Sequence, residues 1–292
     1  MTLARVEQAR RMAEAGSALL ISEPARAVDV LTEAIGLGVL ELRETALLRS
    51  QVVGAVAASG GPPTELAQAA TAAALAWHDL SAADCAHQWV VAGRAWHRAG
   101  AHADAVAALE RPLSGPDLAY PDSELARVRA EFAESLNQLG RYRQAAWQFT
   151  EAARLVVGSG ADRRRHADWV WSAAVARECC GQETAALGGY LRAAGLWGEL
   201  GKIVPRARCL RAAAWLQLRG PNGRIRGPWW LTIDVLLVEL NEHIARVPGP
   251  HLAEELKRTR NQFAQMCSQA SGPSWASAAP PILGPRIGGA SD

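Results

Sequence analysis

The stretch GRAWHRAGAHADAVAALERPL, residues 93–113, decides the fold. Gly93 and Trp96 are three apart, Gly100 follows four later, Ala105 five after that and Leu109 four further on. Steps of three and four place small and apolar side chains on one stripe of a helix. Gly100 stands where such a helix must end, because glycine takes the left-handed conformation at no steric cost. The stretch reads as the end of one helix, a tight turn and a second helix.

The same spacing recurs along the chain. Ser22 precedes Ala27, Leu31 and Ala34, and Gly60 follows Val53 and Val56. Gly140 lies between Ala133 and Leu136 on one side and Ala145, Phe149 and Ala152 on the other. Gly181 lies between Ala174 and Ala186, Tyr190 and Ala193, and Gly220 follows Ala213 and Leu216. The anchors at 22, 60, 100, 140, 181 and 220 are separated by 38, 40, 40, 41 and 39 residues. One hairpin cannot bury its apolar face alone, whereas stacked neighbours bury a continuous core.

This pattern resembles the tetratricopeptide repeat (TPR) family over about residues 1–245. Trp89, Gly93, Trp96, Gly100, Ala105 and Leu109 carry the resemblance in one copy; Ala133, Leu136, Gly140, Ala145, Phe149 and Ala152 carry it in the next. The family unit is about 34 residues, and the longer interval here predicts longer helices or linkers. The resemblance implies an all-α, TPR-like right-handed α-solenoid of about six helical hairpins with a C-terminal capping helix. RGPNGRIRGP, residues 219–228, replaces the short turn around the last anchor, and WWLTIDVLLVELNEHIARV then reads as a second helix. In the capping helix, residues 249–268, Leu252, Leu256, Phe263 and Met266 form one face. Glu254, Glu255, Lys257, Arg258 and Arg260 are expected to be wet on the other. Residues 1–270 read as the repeat domain. Residues 271–292, rich in Pro, Gly, Ser and Ala, read as a disordered tail.

Composition bounds the function. The chain has 292 residues, a formal net charge of +2 and five cysteines, with no CxxC pair. An odd number of unpatterned cysteines fits free thiols in a reducing compartment. The N-terminus lacks a signal-peptide core, since Arg5, Glu7, Arg10, Arg11 and Glu14 interrupt it. The most apolar run, Leu231 to Leu240, is too short to span a bilayer and contains Asp234 and Glu239. A cytoplasmic protein follows. Lys202 and Lys257 are the only lysines, and the Ala, Gly and Arg bias fits a GC-rich bacterial source.

Signatures of catalysis are absent from the sequence: no GxSxG, no HExxH and no Walker A loop. His87, His97, His102 and Cys85 have no recognised zinc spacing, so neither a metal nor a cofactor is expected. Trp89, Trp96 and Trp215 fall on packing stripes. On the TPR template Trp171 instead projects toward the concave face, where an aromatic side chain can anchor a peptide. The template points His87, Arg94, His97 and Arg98 inward from one hairpin, and Arg127, Glu134, Asn137 and Gln138 from the next. Arginine forks suit carboxylates and asparagine can clamp a peptide backbone. The expected ligand is therefore a protein or peptide, acidic or ending in a free carboxylate. The Lys/Asn pattern of chaperone-binding TPR clamps is not reproduced.

Charge is unevenly spread. Residues 1–140 hold 11 basic against 17 acidic side chains, and residues 141–230 hold 15 against 6. Arg163, Arg164 and Arg165 are expected between hairpins, with Lys202 and Arg206 on the same edge, while Arg219, Arg224 and Arg226 fall within a hairpin turn. A duplex binder needs its cations on one continuous face, so this arrangement argues against nucleic acid. The expected role is a non-catalytic adaptor or scaffold, or the sensing component of a regulatory system. Two rivals remain. One is a small-molecule or enzymatic site where His97, Glu134 and Trp171 meet. The other is a homo-oligomer with the PPILGPR segment in a neighbour's groove.

Overall fold

The computed structural model describes residues 3–115, 118–219 and 228–270. Among these residues it contains thirteen α-helices, one 3-10 turn and no strand. The chain divides into two compact units, Met1–Arg141 and Tyr142–Asp292. The first unit comprises α1 (Leu3–Leu19), α2 (Pro24–Gly36), α3 (Leu42–Ser59), α4 (Pro63–Trp77), α5 (Ala82–Arg98), α6 (His102–Ser114) and α7 (Asp122–Gln138). The second comprises α8 (Tyr142–Leu155), a 3-10 turn (Gly160–Asp162), α9 (Arg163–Cys179), α10 (Glu183–Glu199), α11 (Ile203–Leu218), α12 (Trp229–Arg246) and α13 (Pro250–Ala270).

The turns follow from the anchor residues. Gly60, Gly100, Gly140 and Gly181 have φ of 69, 75, 73 and 78°. At Gly100 the amide donates to the His97 carbonyl, and the Ala101 amide donates to that of Trp96, both at 3.0 Å. The same paired bonds recur after Gly140 and Gly181. This is the Schellman closure, which satisfies carbonyls that a helix end would otherwise leave bare. Helix starts are equally local. Pro24 and Pro63 take the first helical position, where a missing N–H costs nothing. The Ser81 hydroxyl caps α5 by accepting from the Asp84 amide.

Close helix crossing explains the small residues. A Cβ on Gly93 would lie 2.4 Å from Leu109 Cγ, so α5 approaches α6 only because residue 93 has no side chain. Fully buried alanines, among them Ala70, Ala92, Ala133, Ala174 and Ala213, lie on the packed sides of α4, α5, α7, α9 and α11. Trp215 is buried, and Trp89 and Trp96 pack against the α3–α6 core, as their stripe positions require. The architecture is an all-α, TPR-like repeat of helical hairpins.

Three sequence expectations need correction. Arg163, Arg164 and Arg165 do not sit between hairpins but form the first turn of α9. Three cations there oppose the helix dipole, and the buried Asp162 carboxylate, 2.5 Å from Arg165, offsets part of that cost. Arg206 is not a solvated cation of that edge: it lies in the first turn of α11, and its side chain turns toward Glu239 of α12. Glu255 does not lie on a wet face of the last helix. It is 2% exposed and pairs with Arg211 of α11, which also donates to the Thr259 hydroxyl. The last helix still packs as expected through Phe263 and Met266, which join Trp215, Leu218, Trp229 and Ile233 in one cluster. Residues 220–227, with Arg224 and Arg226, and the tail at 271–292 lie outside the described residues. Among the described residues no helix is long and apolar enough to cross a membrane.

Candidate binding face on α5 and α7

Arg94 of α5 organises this face. Its Nε and one terminal nitrogen donate to the two Glu131 carboxylate oxygens of α7 at 2.8 and 3.0 Å. The other terminal nitrogen pairs with Glu124, about two turns earlier on α7. Glu124 in turn accepts a 3.4 Å contact from Arg127. Hydrogen bonding to Glu131, only partly opposed by desolvation, holds the Arg94 guanidinium still more firmly in its charged form. Two carboxylates of the chain itself therefore occupy the fork that the sequence suggested for a ligand carboxylate.

One turn further on, four side chains form a relay. His97 Nε2 lies 3.3 Å from a Glu134 oxygen, and its Nδ1 lies 3.0 Å from Ser135 Oγ. His102 Nδ1 lies 3.4 Å from the same hydroxyl, and the two imidazoles meet edge to face at 5.9 Å. A carboxylate only accepts, so with neutral rings His97 carries its proton on Nε2. Ser135 then donates to His97 Nδ1 and accepts from His102 Nδ1–H. Burial, followed by the nearby His97 ring, lowers the His102 pKa. The grouping has the members of a nucleophile–base–acid set, but Ser135 is fully buried and both rings share its hydroxyl. That arrangement joins α5, α6 and α7 and gives a substrate carbonyl no approach to Oγ.

The remaining expected residues divide by environment. His87 is exposed, with Nδ1 2.6 Å from the Tyr120 hydroxyl and the rings edge to face. Arg98 and Gln138 are exposed, and Arg98 has no ion-pair partner among the described residues. Arg127 Nε and Asn137 Oδ1 are buried without a hydrogen-bond partner among the described residues. Trp171 belongs to the second unit, where it is half-buried against Ala174, Ala186, Tyr190, Ala213 and Leu216. It is thus largely a packing residue.

The second unit holds a cavity of about 440 Å³ between α10, α11 and α12. Lys202, Arg206, Glu239 and His243 line it, with Gly195 and Gly198 on the α10 side. Arg206 donates twice to Glu239, at 2.8 and 2.9 Å, and once to the Ala194 carbonyl. A Cβ on Gly198 would lie 2.8 Å from that guanidinium, so the bare glycine lets it cross α10. The Arg206 hydrogen bonds lower the Glu239 pKa. No group of three or more His, Cys, Asp or Glu among the described residues is arranged to hold a metal ion.

Sequence reasoning missed Glu124, Glu131, Ser135 and Tyr120 as partners. A signal existed: Arg94 and Glu131 are 37 residues apart, close to one repeat, as are Arg10 and Glu44, which pair across α1 and α3 at 2.9 Å. Opposite charges one repeat apart on successive first helices become neighbours when hairpins stack.

No family model and no curated protein matches the chain. Solved structures similar to it include a kinesin light chain with nearly identical TPR-like repeats from Podosopora anserina. That match has a TM-score of 0.44 and 13% identity, covering 68% of this chain and 95% of the other. BtubC (BKLC) from P. vanneervenii matches with a TM-score of 0.44 and 13% identity, over 100% of this chain and 98% of the other. PlcR from Bacillus thuringiensis, solved in complex with the peptide PapR7 and DNA, gives 0.38 and 12% over 70% and 74%.

Proposed function

We propose that the chain is a non-catalytic protein- or peptide-binding scaffold whose ligand lies along the α5–α7 face and is acidic or ends in a free carboxylate. The observation that carries this reading is Arg98: an exposed guanidinium without an ion-pair partner among the described residues, one turn beyond the locked Arg94. Gln138 stands exposed on α7, and exposed His87, held by the half-buried Tyr120, lies near the start of α5. In this reading Arg94 and His97 hold the face rigid and do not touch the ligand. Rigidity limits the entropy lost on binding, and an unpaired arginine is free to take a carboxylate bidentately. The five free cysteines and the arginine-rich composition support a bacterial, cytoplasmic setting, with the scaffold as the partner-binding component of a regulatory system.

The test is affinity capture from the source organism's extract, with wild type beside an Arg98→Glu, Gln138→Glu variant of equal helicity. A protein held by the first and lost by the second supports the face. Its C-terminal peptide, compared with the amidated form, then tests the carboxylate. Identical captures overturn the reading. A small anionic ligand is a second reading, favoured by the cavity that Lys202 and His243 line. A rise in Tm with inorganic phosphate, lost in Lys202→Gln, would support it.

A further inference from the structure

Helix α12 is apolar on two sides. Trp229, Ile233, Leu236 and Leu240 form its buried stripe. The opposite side carries Leu231, Val235 and Val238, which are 54, 45 and 54% exposed, with Trp230 beside them at 52%. At 3.6 residues per turn these three fall within an arc of about 60°. Exposed Asp234 borders the stripe, and exposed Glu242, which also pairs with Arg246 at 3.4 Å, continues it one turn beyond Val238. A solvated helix side is ordinarily polar, and a contiguous run of large apolar side chains marks a surface that something covers.

The position of the chain's exit argues for its occupant. Helices α12 and α13 form an antiparallel pair joined by residues 247–249. The Phe263 ring lies 6.0 Å from that of Trp229, and Met266 and Cys267 share their cluster with Trp229 and Ile233. The end of α13 at Ala270 therefore lies near the first turn of α12, on the side of its buried stripe. The sequence that follows, SGPSWASAAPPILGPRIGGASD, contains Trp275, Ile282, Leu283 and Ile287, one cation, Arg286, and one acid, Asp292. Five extended residues reach about 17 Å, about half the circumference of a helix 10–12 Å across, and the stripe from Leu231 to Val238 then rises about 10.5 Å. Reach, apolar content and the position of its one cation, Arg286, within the apolar part match the α12 surface.

We propose that residues 275–287 cover the outer stripe of α12 in cis, with Arg286 facing the carboxylates of Asp234 and Glu242. The test places a benzophenone side chain at Ile282, and separately at Trp275, in the full chain. Irradiation should give a cross-link within one molecule to residues 229–246. Val235→Glu with Val238→Glu should lower its yield at least about tenfold, since two apolar contacts are lost. Because both positions are exposed, helicity should be unchanged; Leu231→Gln provides a milder variant with the same expected direction. A cross-link to a second copy, to another helix, or to nothing from both positions overturns the proposal.

Discussion

Arg94 shows how a residue suited to ligand binding can be spent on structure. Its guanidinium joins Glu124 and Glu131, all about one-third exposed. Arg94→Ala leaves two carboxylates facing one another and is expected to cost about 1–2 kcal/mol in urea unfolding, allowing for solvent screening. Arg94→Lys should recover only part, because an ammonium cannot make the two parallel bonds to Glu131. His102 predicts a pH dependence. Burial lowers its folded-state pKa below the ordinary value of about 6.5. Its contribution is full above that ordinary value and is lost as pH falls through the depressed folded-state value, because the unfolded chain binds the proton more readily. Chemical denaturation from pH 8 to 5 should show falling stability, with a shallower fall in His102→Gln.

At the scale of helices, the α5–α6 crossing is set by one missing side chain. Gly93→Ala puts a Cβ 2.4 Å from Leu109 Cγ and should cost about 1–3 kcal/mol through overpacking. Leu109→Ala alone should cost about 2–5 kcal/mol, since Leu109 is fully buried. The double variant should lose less than the sum, because alanine at 109 vacates the space that the new methyl needs. Additive losses in thermal unfolding would show that the crossing does not depend on this contact.

For the molecule as a whole, the last helix is docked by charge as well as by apolar packing. Arg211 and Glu255 are both nearly inaccessible. Glu255→Gln leaves a buried guanidinium without its counter-charge, and a loss of about 3–5 kcal/mol is expected. Replacing both, as Arg211→Met with Glu255→Leu, should restore stability to near wild type or above. Hydrogen exchange would place the loss: α11 and α13 should lose protection in the single variant and regain it in the double.

The repeat interval, the helix ends and the packing stripe were legible in the sequence. A glycine that must turn left-handed, a proline at a first helical position and a three-four apolar step each act within a few residues, so local order suffices to show them. Gly100, Gly140 and Gly181 needed no knowledge of what they pack against. The fate of the polar residues was decided only by tertiary structure. Arg94, Arg206 and Arg211 look alike in sequence, yet their partners lie 37, 33 and 44 residues away on other helices. Whether a side chain meets a carboxylate or water depends on the rotation and register of neighbouring helices, which the close crossings between them set. That is why Glu255, placed by its charge on a wet face, is buried, and why Arg98, one turn from the fully engaged Arg94, has no ion-pair partner among the described residues.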